Sequence, residues 1–119
     1  MSISIISLKD EAGAWEACGP APERILDGHP VQRASNAFTD ASGQFSCGRW
    51  ASTRGKWRVR YSENELCVIV AGRVVIESAA GERHTFVAGD AFVVPAGFEG
   101  TWTVLEECAK FYAIFEPRA

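Results

Sequence analysis

Glycine interrupts the chain from Cys47 onward at intervals of roughly ten residues, and this spacing limits what the chain can fold into more than any other feature. Short strands joined by turns fit between such breaks, whereas amphipathic helices of ordinary length do not. The glycines that provide the breaks are Gly48, Gly55, Gly72, Gly81, Gly89, Gly97 and Gly100. The spacing therefore predicts an all-β sandwich or barrel.

The clearest strand pattern lies in residues 56–61, where cationic side chains alternate with apolar or aromatic ones. Since side chains of a strand point alternately to its two faces, the pattern predicts that Trp57, Val59 and Tyr61 point inward. The cationic positions then form a stripe on the outer face, which is a common protection of an edge strand against aggregation. We assign no ligand to this stripe, whose members are Lys56, Arg58 and Arg60.

Residues 66–71 are apolar at every position, which is typical of a strand that is covered on both faces. Residues 1–45 are rich in glycine and proline and are predicted to form an irregular N-terminal arm that packs on the barrel of residues 46–119 or on a partner subunit. A two-fold homodimer is the commonest way to cover such a face, and we expect one. Within the arm, the isoleucines at positions 3, 5 and 6 could form one short strand.

Composition excludes several classes of partner. The 119 residues carry 12 Lys+Arg and 15 Asp+Glu, a net charge of -3, so no global positive field attracts nucleic acid. No apolar run is long enough to span a membrane, and the N-terminus does not resemble a secretory leader, so we expect a cytoplasmic protein. The four cysteines form no CxxC pair and are expected to be reduced, structural thiols.

Two segments resemble the sequence motifs of the cupin superfamily. The first is Glu65 followed after six residues by Gly72, and the second is the run GDAFVVPAG at residues 89–97. More narrowly, residues 46–115 resemble the small single-domain cupins grouped with (S)-ureidoglycine aminohydrolase and the ethanolamine-utilisation cupin. Further matching positions are Gly48 to Trp50, Asn64, Gly100 to Trp102 and Lys110 to Tyr112. The resemblance implies an antiparallel jelly-roll barrel of the RmlC-like cupin type, in agreement with the strand pattern.

Metal-binding cupins use two histidines spaced HxH, a glutamate shortly after them and a third histidine further on. With Glu65 as that glutamate, the resemblance puts the first two positions on Val59 and Tyr61. A shift by one residue puts them on Arg58 and Arg60, which face outward in the strand pattern. Neither register supplies a histidine.

The third histidine position falls on Gly100, and the chain has its two histidines elsewhere, at His29 and His84. The resemblance therefore implies no metal ligand set, and we predict neither a metal nor another cofactor. Glu63 stands two residues before Glu65, but it lies in a turn segment and is expected to be solvated.

An inward Glu65 needs a partner, because a buried carboxylate is costly unless it is paired or hydrogen-bonded. Lys110, Tyr61, Tyr112 and a bound ligand are the candidates. The strand of Lys110 can be read in two registers, and in one of them Phe111 faces the core and Lys110 is solvated. We predict one ligand site in the barrel, lined by Trp57, Tyr61, Glu65, Phe98, Trp102, Lys110 and Tyr112.

Three functions stay open from the residues alone. The first is a cupin that binds a small molecule of unknown structure, with Glu65 and Lys110 as polar anchors. The second, implied by the resemblance to (S)-ureidoglycine aminohydrolase, is a metal-dependent enzyme acting on a nitrogenous metabolite. The third is a non-catalytic structural cupin, whose pocket would be filled by its own side chains. No catalytic residue is assigned.

Overall fold

The computed structural model describes residues 3–9 and 14–118, and these residues form one curled antiparallel sheet of nine strands. This is the all-β cupin jelly-roll that the sequence predicted. The strands are β1 (Glu16–Cys18), β2 (Ile25–Asp27), β3 (Gln32–Thr39), β4 (Phe45–Ser52), β5 (Gly55–Arg60), β6 (Asn64–Ser78), β7 (Arg83–Val87), β8 (Ala91–Val94) and β9 (Glu99–Phe115). One 3-10 turn, Pro22–Arg24, precedes β2.

Strands β6 and β9 pair along most of their length, and the other strands attach to them directly or through a neighbour. Strands β7 and β8 pair with β6, while β4 and β5 pair with β9. Strand β6 contains the predicted strand of residues 66–71 and continues beyond it to Ser78. It can continue because it bends at register shifts instead of ending there.

The bend in β6 depends on Gly72, which has a positive φ of 91°. A Cβ at this position would also collide with the backbone carbonyl oxygens of Glu106 and Glu107 on β9. Glycine is therefore required here for two reasons, its left-handed backbone and the close approach of β9.

The N-terminal segment is more regular than its glycine and proline content predicted. Strand β3 pairs with β4, and β1 pairs with β3, so residues 16–39 extend the barrel sheet. The predicted strand at Ile3 to Ile6 is absent, and Ile3 and Ile5 are 94% and 97% exposed. Trp15 anchors the segment before β1, since its ring lies 4.4 Å from the Arg33 guanidinium carbon.

The interior of the barrel has a filled part and an open part. Side chains of β6, β7, β8 and β9 fill the first part, with Val74, Ile76 and Val104 almost completely buried. Trp102 is 2% exposed and borders the open part, where its ring stacks on that of Trp57 at 6.2 Å. Among the described residues, no helix is long and apolar enough to cross a membrane.

The outer face of the sheet carries an apolar patch in the single chain. Leu66, Val70 and Val93 are 45%, 40% and 61% exposed, and the pairing of Leu66 with Val93 makes them neighbours. The patch continues across β9 and β4 through Phe115 and Phe45, which also pair. The expectation that residues 66–71 are covered on both faces is therefore not met within one chain.

We expect a second copy of the chain to cover this patch, because isolated monomers rarely leave large contiguous apolar patches in water. In sedimentation experiments at micromolar concentration, the wild-type chain should have twice the mass of the monomer. Leu66→Lys should shift the equilibrium to the monomer, because it would bury a charge in the interface.

Val31→Lys serves as the matched control, since Val31 is 70% exposed and lies outside the patch. It should leave the mass unchanged. A wild-type chain that sediments as a monomer would contradict the dimer.

Candidate functional site

A cavity of about 540 Å³ opens into the barrel between β3, β4, β5, β6 and β9. Six of the seven residues predicted as ligand-binding line it: Trp57, Tyr61, Glu65, Trp102, Lys110 and Tyr112. The seventh, Phe98, is not part of the lining. Its ring packs edge-on against the Tyr61 ring, with centroids 6.2 Å apart, so it supports the wall from behind.

The polar centre of the cavity is an ion pair between Glu65 on β6 and Lys110 on β9. Lys110 Nζ donates to Glu65 Oε2 at 2.8 Å, and both residues are 5% exposed. The Tyr61 hydroxyl donates to the other carboxylate oxygen, Oε1, also at 2.8 Å. Both oxygens of the buried carboxylate are therefore satisfied within the protein.

Alternation along β9 shows that Lys110 points into the barrel. Trp102, Val104, Cys108, Lys110 and Tyr112 are all buried, and these even-numbered positions point inward. The odd-numbered positions from Phe111 onward face the other side of the sheet and belong to the more exposed set. The reading in which Lys110 and Tyr112 are solvated is therefore wrong.

The Lys110 ammonium lies among aromatic rings and a thiol. Its Nζ is 4.6 Å from the centroid of Trp50 and 4.4 Å from that of Trp102, distances typical of cation–π contacts. Cys67 Sγ lies 3.5 Å from the same nitrogen. Burial lowers the pKa of Lys110, but Glu65 and Cys67 outweigh this effect and hold the pKa above its ordinary value.

The neighbouring groups stay neutral near pH 7. Burial raises the pKa of the Tyr61 phenol, and the negative charge of Glu65 raises it further. Burial also raises the pKa of the Cys67 thiol to about 12, although Lys110 opposes the rise. The cavity floor thus holds one cation and one anion, surrounded by neutral hydrogen-bonding groups.

One buried donor at this floor lacks a partner. The indole N–H of Trp102 makes no hydrogen bond within the described part of the chain. Trp102 lowers the pKa of the Tyr61 phenol, an effect smaller than the rise caused by burial and by Glu65. Buried polar groups are rarely left unpaired, but the accessible surface of this nitrogen is below 1 Å², too small for an acceptor of a bound molecule to reach it.

Sequence reasoning missed several residues of the lining. Trp50 lines the cavity but was not assigned to the site, and Glu63 was expected to be solvated although it is half-buried. Burial raises the pKa of the Glu63 carboxyl. Gln32 is 5% exposed and donates from Nε2 to Ser52 Oγ at 3.2 Å. It comes from β3, which the sequence pattern did not identify as a strand.

Three arginines belong to the lining of the cavity. Arg58 and Arg60 belong to the cationic stripe of β5, and Arg24 comes from the 3-10 turn before β2. Strand β2 pairs with β5 at Trp57, so part of this edge of β5 is covered. The stripe therefore borders the site instead of only protecting an edge.

The residues present do not fit a cupin metal centre. Val59 and Gly100, two of the positions that would need histidine, face each other as partners in the β5–β9 ladder. Both oxygens of Glu65 are already hydrogen-bonded, and one of them binds a resident cation, Lys110. Within the described residues, no group of three His, Cys, Asp or Glu side chains is placed to hold a metal ion.

Removing one member of the buried pair should be costly, because the other is left as an uncompensated charge. We expect Lys110→Met to lower the free energy of unfolding by about 3–5 kcal/mol. The double variant Glu65→Gln with Lys110→Met should regain most of that loss. Urea denaturation followed by circular dichroism measures both effects.

The exposed ion pair between Arg73 and Glu106, with Nε and Oε2 at 3.0 Å, provides the control. Its removal should cost less than about 1 kcal/mol, because water screens the two charges. If Lys110→Met were as mild as the Arg73→Gln control, the buried pair would not have the role described above.

Comparison with known proteins places this geometry in a family. A family model described as the EutQ-like cupin domain matches residues 39–112. A search among curated proteins found no match. Among solved structures, a protein of unknown function of the DUF861 family from Pseudomonas syringae superposes with a TM-score of 0.79 and 28% identity. The match covers 88% of this chain and 46% of the other, so the chain spans about half the length of that relative.

More distant neighbours share the fold alone. The Clostridium difficile EutQ protein has a TM-score of 0.66 and 17% identity over 73% of this chain and 64% of its own. Ectoine synthase from P. lautus has a TM-score of 0.68 and 12% identity over 98% of this chain and 80% of its own. These neighbours have different functions, so the fold does not name a substrate. Since the family model matches more than half of its residues, the chain belongs to the EutQ-like cupin family.

Proposed function

We propose that the protein binds a small organic molecule in the barrel cavity and that it does so without a metal ion. The observation that carries this proposal is the combination of an open cavity with a buried Glu65–Lys110 pair at its floor. Concave sites with apolar walls and a few convergent polar groups are the usual form of small-molecule sites. Trp50, Trp57 and Trp102 supply the walls.

The alternative of a purely structural cupin predicts a pocket filled by its own side chains. The filled part of the barrel ends at Trp102, and the space beyond it stays open among aromatic and charged residues. A buried ion pair is weak support for stability, since apolar residues of similar volume often stabilise a fold as well or better. The pair therefore favours a binding role over a structural one.

A metal-dependent reaction on a nitrogenous metabolite is the second alternative, which the resemblance to (S)-ureidoglycine aminohydrolase implies. It needs a ligand set around Glu65 that the chain does not provide, because Val59 and Gly100 occupy two of the ligand positions. We therefore do not favour it. We also propose a cytoplasmic location, since all four cysteines are free thiols, as in most proteins of reducing compartments.

Thermal denaturation in the presence of small organic acids, amines, amides and sugars tests the binding proposal. A compound that binds the folded state should raise the Tm of the wild-type protein, because binding stabilises that state by mass action. Ala34→Phe adds a ring to the lining of the cavity and should abolish the shift.

The control substitution is Val31→Phe, which adds the same ring at an exposed position outside this cavity. It should leave the shift intact. The proposal fails if no compound raises the Tm of the wild type, or if Ala34→Phe responds as the wild type does.

Elemental analysis of freshly purified protein tests the absence of a metal requirement. We expect far less than one Mn, Fe, Ni or Zn per chain, and a Tm that does not change with EDTA, because Glu65 is engaged by Lys110. About one metal ion per chain, lost on Glu65→Ala, would contradict this expectation.

A further inference from the structure

Two strands that follow each other in the sequence lie on opposite sides of the cavity. One path through the sheet runs in the order β1, β3, β4, β9, β5 and β2, so β1 and β2 are its two ends. The last residue of β1, Cys18, pairs with Gln32, and the first residue of β2, Ile25, pairs with Trp57. Both partners line the cavity. The connection from Cys18 to Ile25 therefore crosses from one wall of the cavity to the other.

This connection covers part of the cavity opening. Pro20 lies near its start and Arg24 near its end, and both belong to the lining of the cavity. Between them, the chain forms the 3-10 turn Pro22–Arg24. The connection thus narrows the opening between the wall formed by β3 and the wall formed by β5.

Few contacts hold this part of the chain against the barrel. Strand β2 has two ladder pairs with β5, Ile25 with Trp57 and Asp27 with Lys56, and the register shifts between them. Within the portion of the chain that the structure describes, no side-chain hydrogen bond and no ion pair involves residues 20–27. Segments with so few contacts open locally at a low cost in free energy.

Glycine residues flank the weakly held segment on both sides. Gly19 has a φ of 144° and Gly28 a φ of 74°. Since glycine has no Cβ, it can change its backbone angles widely, as a hinge must do when a segment opens. The chain is held more firmly beyond the hinges. Three pairs join β1 to β3, and after Gly28 the Val31 N–H donates to Thr53 Oγ1 at 2.8 Å.

We propose that residues 20–27 form a strap that opens at Gly19 and Gly28, admits a molecule to the cavity and closes over it. Opening breaks the two pairs between β2 and β5 and leaves the rest of the sheet intact. The inference rests on the proposed binding function and adds the route by which a molecule enters. A closed strap also supplies cover to a bound molecule, and small-molecule sites usually bury most of their ligand.

A disulfide bond between β2 and β5 tests whether the strap opens. Asp27→Cys with Lys56→Cys puts two thiols at paired positions, where the Cα atoms of antiparallel strands are close enough for a disulfide. The control disulfide is Arg73→Cys with Val87→Cys, because these residues pair in the β6–β7 ladder and do not line the cavity. Both variants also carry Cys18→Ser, which removes an exposed native thiol.

Acrylamide quenching of tryptophan fluorescence measures access to the cavity, since three of the four tryptophans line it, namely Trp50, Trp57 and Trp102. The oxidised strap disulfide should lower the quenching constant relative to the same variant after reduction. The control disulfide should give equal quenching in both states. Hydrogen exchange measured by mass spectrometry should slow in β2 and in the facing part of β5 when the strap disulfide forms.

A substitution that loosens the strap should have the opposite effect. Ile25 is half-buried and pairs with Trp57, whereas its neighbour Leu26 is exposed. Ile25→Ser should speed hydrogen exchange in β2 about fivefold, the effect of losing a half-buried aliphatic side chain, and should raise the quenching constant. Leu26→Ser is the matched control and should leave both quantities near their wild-type values.

Three results would overturn the strap. They are equal quenching of the oxidised and reduced strap disulfide, equal exchange rates in Ile25→Ser and Leu26→Ser, and failure of the thiols at positions 27 and 56 to form a disulfide. None of these measurements depends on a compound that binds. The strap can therefore fail while a compound still raises the Tm in the thermal test, and the binding function can fail while the strap opens as described.

Discussion

Pairing between two long strands determines the rest of this fold. Strands β6 and β9 share a ladder from Asn64 and Phe115 at one end to Ser78 and Gly100 at the other. The free edge of β6 pairs with β7 and β8, and the free edge of β9 pairs with β4 and β5, so this pair lies at the centre of the curled sheet. The ladder can bend because Gly72 tolerates both a positive φ and the close approach of the β9 backbone. A side chain at that position would force the two strands apart.

The same ladder brings the two buried charges together. Glu65 lies opposite Ile114, and Ile69 lies opposite Lys110, so Glu65 and Lys110 are offset by four residues along the pair and share its inner face. The lysine and glutamate side chains together span this offset, and the apolar stem of Lys110 packs in the interior while its ammonium reaches the carboxylate. Aromatic rings exclude water around the pair, which strengthens the attraction between the charges.

The positive charge in this barrel belongs to a side chain of the protein itself, the Lys110 ammonium. Many cupins place a metal ion close to the motif glutamate, whereas here the ammonium of Lys110 lies 2.8 Å from the carboxylate. A side-chain cation does not exchange with solution and has a fixed position along the strand. Its three protons favour hydrogen bonds to oxygen, and Glu65 accepts one of them. The Glu65–Lys110 pair is therefore neutral overall.

The sequence by itself determined the fold class and the inner face of most strands. Glycine spacing and the two motifs predicted an antiparallel barrel, and two-residue alternation correctly oriented Trp57 and Tyr61, because strand periodicity is a local property of the backbone. Tertiary structure decided what depends on distant residues. The inward register of Lys110 depends on the pairing of β9 with the bent strand β6. Strand β3 forms because it pairs with β4. Arg24 reaches the lining of the cavity because the turn before β2 lies next to it. Local patterns contain no information on such contacts, since each joins segments that are brought together only when the sheet closes.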